Sequence, residues 1–314
     1  MNQTVTIKGG LWRGIIMERY YHMFANGDDA KNFVIEENDF KAAFNRIAVC
    51  SHLSGVSILA ASIEDSHPHV LLRGIPEQAD DFKQRYKDLT TRFITRHRGS
   101  SDGVVLNLEL CEINDESYLK NAAIYVIIQA TKDGKPILPY DYLYGTGALY
   151  FRKPGTILPW DHDYHGALYR RQELGLFSIQ DQWRICNTKV PMPSQWIIVN
   201  GIIHPKCYID ISGYESIFRT HNCFRAFLAS SKSRDEIVRQ NMASVRGINM
   251  EDMEARRICQ AICMTRFGKQ TTMHLTAEQR LSIAQELRSS YRLSFRQLST
   301  LTRISESEIR KYIK

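Results

Sequence analysis

The chain has 314 residues, 43% of them hydrophobic, and a formal net charge of +7 with a pI near 9.0. This composition excludes a disordered polymer and leaves room for one large or two to three ordinary domains. No apolar run approaches the roughly 20 residues of a membrane span, and "MNQTVTIKGGLWRG" lacks the apolar centre of a signal peptide, so a cytoplasmic protein without a membrane partner is expected.

The positive balance favours an anionic partner, nucleic acid first. It is uneven: residues 251–314 hold 12 Lys+Arg against 7 Asp+Glu, leaving +2 for the first 250. The seven cysteines are scattered, with no CxxC pair, and read as free thiols that mostly fill the core. Cys259 and Cys263 lie four apart, yet no further zinc ligands stand near them.

In chain order, residues 11–29 with "ERYYHMFANGDD" predict a strand ending in an Asn-Gly turn. Asn38 or Asp39 then caps a helix whose Phe40, Ala43, Phe44, Ile47 and Ala48 recur at helical spacing, ended by Ser54-Gly55. "VSILAASIED" and "HPHVLLRG" predict a β-hairpin with His67 and His69 where its second strand starts. "PEQADDFKQRYKDLTTRFITRHRGS" carries a stripe of Phe82, Tyr86, Leu89 and Phe93, with Arg85, Arg92, Arg96 and Arg98 largely elsewhere. That basic side is a solvated face or a phosphate-contacting one. "DGVVLNLELCEI" predicts a strand, and Asp115 a cap for "ESYLKNAAIYVIIQ". The order β-α-β-β-α-β-α suits an α+β fold, an antiparallel sheet with helices packed on it.

Residues 134–206 are rich in Gly, Pro and aromatics and predict short elements and loops. Asp161, His162, Asp163 and His165 are ligand-type residues there, but neighbours on a loop rarely converge on one ion, and a polar loop is the expectation. From Pro205 onward helices return. In the last forty residues Thr276…Gln279, Ser294…Gln297 and Ser305…Glu308 are capping-box signals for three helices. The last two make a helix-turn-helix, with Leu298, Ile304 and Ile309 as apolar contacts and Arg303 where glycine is usual in the turn. Arg303, Arg310, Lys311 and Lys314 are the expected DNA-contacting residues, and a generic three-helix interaction module is the alternative.

The chemistry concentrates in two places. Alternate residues of a strand share a face, so His67 and His69 can bind one cation side by side. On the later helix Tyr118, Asn121, Ala122, Tyr125, Gln129 and Lys132 fall on one stripe, with Tyr125 and Gln129 at i and i+4. One reading is a core helix with a marginal tyrosine. The other makes Tyr125 a nucleophile and Gln129 an oxygen ligand. A phenol, ordinarily titrating near pH ~10, needs a cation to polarise the phosphate it attacks. Two imidazoles and an amide oxygen leave positions open and suit Mg²⁺ or Mn²⁺.

These residues carry a resemblance. "YYHMFANGDD", "HPHVLL", "YVIIQATKDG" with nine residues from Tyr125 to Gly134, "YDYLYGTGALYF" and "WIIVNGIIHPKCYID" resemble the HUH-type single-strand DNA transposases, especially the REP-associated tyrosine transposase branch. The resemblance covers most of the chain. It implies a ferredoxin-like catalytic domain over 1–150, a loop-rich connector over 151–204, and a helical DNA-binding region over 205–314 ending in a helix-turn-helix at about 275–314. It implies that Tyr125 attacks single-stranded or hairpin DNA, forming a 5′-phosphotyrosyl intermediate, with a divalent metal on His67, His69 and Gln129. A homodimer and a monomer both fit it. The sequence departs from the family at Pro68, normally a bulky aliphatic residue, and at Gln129-Ala130, normally Asn-Pro. Proline fixes φ and donates no hydrogen bond, so the strand must start at Pro68 or lie at an edge. A DNA-binding protein that recognises hairpins without strand transfer is the alternative.

Overall fold

The computed structural model describes residues 17–25, 30–31, 33–64, 67–100, 104–129, 138–230, 238, 252–269, 271–291, 293 and 295–313. The Asn26-Gly27 turn, Ala130, Lys132, Gly134, Ser294 and Lys314 lie outside them. The chain divides into two compact units, 1–235 and 236–314.

In the first unit, β1 (Arg19–Phe24), β3 (Ser57–Ile63), β4 (Pro68–Gly74) and β6 (Glu109–Ile113) form an antiparallel sheet in the order β3-β4-β1-β6. Phe24 pairs with His69 and His22 with Leu71. β2 (Ala30–Lys31) and β5 (Val105–Leu106) form a separate two-stranded ribbon. The single strand expected over "DGVVLNLELCEI" is thus two, separated at Asn107 and Leu108.

The helices α1 (Glu37–Ser54), α2 (Pro76–Arg98) and α3 (Glu116–Ile127) cover the sheet. Asp39 lies in the first turn of α1 rather than before it, and its carboxylate accepts from the Ile35 and Glu36 amides at 2.9 and 3.3 Å. Gly55 ends α1 at φ +74°, a left-handed cap that glycine adopts without a Cβ penalty. Asp115 caps α3 by accepting from Tyr118 N at 2.7 Å.

Both faces of the sheet are covered, so β3 and β4 are buried almost throughout, unlike the alternating strands of a half-exposed sheet. Tyr21 feels Glu77 and Asp80 of α2, whereas the next residue, His22, meets Tyr125 of α3. Adjacent strand residues point to opposite faces, so α2 and α3 lie on opposite sides. The expected stripe Phe82, Tyr86, Leu89 and Phe93 is buried. Each such side chain contributes roughly 1.5–3 kcal/mol when removed from water.

Residues 138–229 pack onto this layer. Asn45 on α1 donates to the carbonyls of Gly201 and Ile185 and accepts from Ile203 N. Trp160, 1% exposed, lies over Phe44 and donates to the Leu143 carbonyl. β7 (Gln172–Glu173), β8 (Ile197–Val199) and β9 (Ile202–Ile203) form a small antiparallel sheet, with α4 (Ile179–Cys186) between the first two. α5 (Ile211–Phe218) and α6 (His221–Ala229) follow, and Tyr214 donates to the Ala123 carbonyl of α3 at 3.0 Å. These long-range contacts are why the division falls at 235 rather than at 150 and 204.

The second unit holds α7 (Asp252–Phe267), α8 (Ala277–Tyr291), α9 (Phe295–Thr302) and α10 (Glu306–Tyr312) around one apolar core. Leu298, Ile304 and Ile309 are buried in it, as are Cys259 and Cys263. Thr276 and Gln279 exchange both capping-box hydrogen bonds, and Ser305 accepts from Glu308 N. Arg303 adopts φ +57° between α9 and α10, the left-handed conformation that favours glycine.

Candidate metal centre and tyrosine site

The β3–β4 hairpin builds half the site. Glu64 N donates to the His67 carbonyl at 2.9 Å and closes the turn. β4 starts at Pro68, opposite Ile63, while pairing with β1 begins one residue later at His69. A proline at the first position of a strand costs no ladder bond there. His67 and His69 therefore present their rings on one side, with centroids 4.8 Å apart.

Glu64 completes the group. One ligand atom each from Glu64, His67 and His69 lie within 4.8 Å of one another, and His67 Nε2 is 3.7 Å from Glu64 Oε2. His69 is 1% exposed, while the His67 and Glu64 side chains keep 15% and 10%. Two imidazoles and a carboxylate within that span can hold a divalent cation with positions left over. The sequence marks Glu64 only as a residue bordering the histidines.

α3 supplies the other half. It is buried on nearly every side, so it is a core helix rather than one with a polar margin. The Tyr125 ring stands edge-on to His69, with centroids 5.4 Å apart, and to His22 at 5.9 Å. Tyr125 is 6% exposed. Gln129 is buried one turn further on, and its amide nitrogen donates to the Tyr125 carbonyl at 2.8 Å. Its oxygen is then the atom it has for a cation.

His22 belongs to the same cluster, though local sequence gave it no role. Its Nε2 lies 3.1 Å from His69 Nδ1, and only the pairing of β1 with β4 brings the two together.

The Asp161 loop is a different object. Asp161 is buried, ion-paired to Arg171 at 2.7 Å, and accepts from Leu158 N. His204, also buried, lies 3.5 Å from it. Burial pushes the His204 imidazole down to about 4, against the opposing pull of Asp161. His162 contacts the Asp163 carbonyl, and Asp163 accepts from the amides of His165 and Ala167. These contacts make a hydrogen-bonded turn.

The expected DNA-contacting residues fall into two sets. Arg85 pairs with Asp81, Arg98 with buried Asp39, and Arg310 stacks on Phe295 at 4.3 Å and reaches Glu306. Arg92, Arg96, Arg303 and Lys311 are exposed. α2, with Arg85 to Arg98, lies across the sheet from Tyr125. Set against known proteins, the chain matches no family model and no curated protein.

Proposed function

We propose that the chain is a metal-dependent tyrosine nuclease and strand transferase acting on single-stranded DNA, at hairpin-forming sequences. The observation that carries this reading is the convergence of His67, His69 and Tyr125 at one end of the sheet, with Glu64 in ligand range of both histidines. The four-stranded antiparallel sheet, order β3-β4-β1-β6, with its intervening helices is compatible with the same reading.

Glu64, His67 and His69 would hold the cation, with Gln129 the further oxygen donor one turn from Tyr125. Their mixed nitrogen and oxygen set is compatible with Mg²⁺ or Mn²⁺. When bound, the cation polarises the scissile phosphate and offsets its charge. The Tyr125 oxygen then bonds to phosphorus, the P–O3′ bond breaks, and the phenolic proton ends on the departing 3′-oxygen. The 3′-hydroxyl of a second strand reverses the step without external energy. The exposed Arg303 and Lys311 of the second unit offer phosphate contacts, whereas Arg92 and Arg96, across the sheet from Tyr125, offer them only away from the cleaved bond.

The test is a labelled single-stranded hairpin incubated with Mg²⁺ or Mn²⁺. A covalent adduct in the unaltered chain, lost in Tyr125→Phe, is expected. An adduct that forms equally well in Tyr125→Phe would sink the reading. The near-complete burial of Tyr125 favours one alternative, a hairpin-binding protein without strand transfer. Tight hairpin binding with no metal site at the histidines would select it.

A further inference from the structure

We infer that His22 is a positioning residue for His69, accepting its Nδ1–H so that Nε2 is the nitrogen presented to a cation. The inference rests on the metal-dependent reading above and deepens it. His22 is fully buried on β1. Its Nε2 lies 3.1 Å from His69 Nδ1, and the two rings stack at 5.3 Å and 29°. It stands outside the group formed by Glu64, His67 and His69.

A neutral imidazole carries one proton, so each ring nitrogen either donates or accepts. If His69 is to bind a cation through Nε2, its proton must sit on Nδ1. Across 3.1 Å the partner must then accept, which leaves the His22 proton on its own Nδ1. Ligating histidines commonly hand their second nitrogen to a carboxylate or carbonyl that fixes tautomer and ring angle. Here a second imidazole takes that part, and the β1–β4 register sets its distance. The His22 ring also packs against the Tyr125 ring, with centroids 5.9 Å apart, so one side chain braces both halves of the site.

The test uses the full chain and inorganic Mn²⁺. Nitrogen NMR of the metal-free chain is expected to show His69 protonated at Nδ1; protonation at Nε2 overturns the assignment. In Mn²⁺ titrations, His22→Phe keeps the aromatic volume and should bind about 10- to 100-fold more weakly. His22→Gln keeps an acceptor and should recover most of that loss. Electron-spin-echo spectroscopy of the Mn²⁺ form should count two histidine nitrogens, and a third would make His22 a ligand and overturn the positioning role. His69→Ala separates the two claims. Equal Mn²⁺ binding by His69→Ala and the unaltered chain sinks the metal reading, and with it the proposal. Impaired His69→Ala beside unchanged His22→Phe sinks the proposal alone. If His22→Phe does not fold, His22→Gln and the NMR assignment decide it.

Discussion

The Tyr125 ring meets the His69 ring edge-on at 5.4 Å, across the junction between a core helix and a sheet strand. The tyrosine is 6% exposed and the histidine 1%. A phenol that served only to fill the core would need no imidazole cluster beside it. Phenylalanine keeps the buried ring and removes only its oxygen, so the packing survives the substitution. Tyr125→Phe should therefore abolish the covalent DNA adduct while leaving Mn²⁺ affinity within about 3-fold and stability within about 1 kcal/mol. Adduct formation, metal titration and thermal unfolding on the same preparation check all three. A large loss of stability would show that the hydroxyl is structural.

The donor set can be ranked. Glu64 lies in the group with both histidines, whereas Gln129 spends its amide nitrogen on the Tyr125 carbonyl. Glu64→Ala should weaken Mn²⁺ binding at least about 10-fold and more than Gln129→Ala does, since a carboxylate brings charge and an amide does not. Calorimetric titration of both variants settles the order. The reverse order would make the amide the stronger ligand and Glu64 a partner of His67 alone.

Much of this site was legible from local pattern, and the rest was not, for reasons of chain distance. His67 and His69 stood out because period two is visible within three residues, and Asp115 because caps are local. Tyr125 and Gln129 shared a helical stripe. Glu64 and His22 enter through geometry that local pattern does not encode: a closed hairpin turn for the first, and the register of strands 47 residues apart for the second. The same holds for the fold. Asn45 holds down Gly201 and Ile203 from more than 150 residues away, so the loop-rich segment belongs to the first unit. The split between β5 and β6 was hidden because "VVLNLELCEI", with Asn107, Glu109 and Glu112 between apolar residues, reads as one continuous strand.

Pro68, where the sequence departs from the histidine motif it resembles, has a clear structural answer. It opens β4 before pairing with β1 begins, so its missing amide hydrogen disturbs little. Pro68→Val should leave Mn²⁺ affinity within about 3-fold and shift stability by less than about 1 kcal/mol. A large gain in metal affinity would show instead that the proline holds the histidines apart.

Acid sensitivity of the first unit should trace to His204. Its folded imidazole is pushed down to about 4 by burial, and its Nδ1 accepts from Lys206 N, as a neutral ring can. The unfolded imidazole titrates near 6.5. Above that value both states are neutral and the contribution is whole. As pH falls toward 4 the unfolded chain takes up the proton first, and stability drops by up to about 3 kcal/mol. Asp161, held below the usual carboxylate range mainly by Arg171 despite its burial, acts in the same direction at lower pH. Denaturant unfolding of His204→Gln should show a shallower slope from pH 6.5 to 4. An unchanged slope would assign the sensitivity elsewhere.

Arg303 allows stability and DNA contact to be separated in the second unit. It sits at φ +57° between α9 and α10 and is exposed. A non-glycine residue in that conformation is strained, and glycine there is not. If Arg303 is a turn residue only, Arg303→Gly stabilises the unit by about 0.5–1 kcal/mol and leaves DNA affinity unchanged. If it contacts a phosphate, as the reading of this unit as a DNA-binding module requires, the same variant also weakens binding. The slope of log affinity against log salt then falls by about 1. Arg303→Lys, which keeps the charge and the strain, should restore the slope without the gain in stability. Thermal unfolding and hairpin titrations at several salt concentrations, run on all three chains, read both effects. An unchanged salt slope in Arg303→Gly would remove this residue from the DNA interface and leave Lys311 as the exposed cation of α10 to test next.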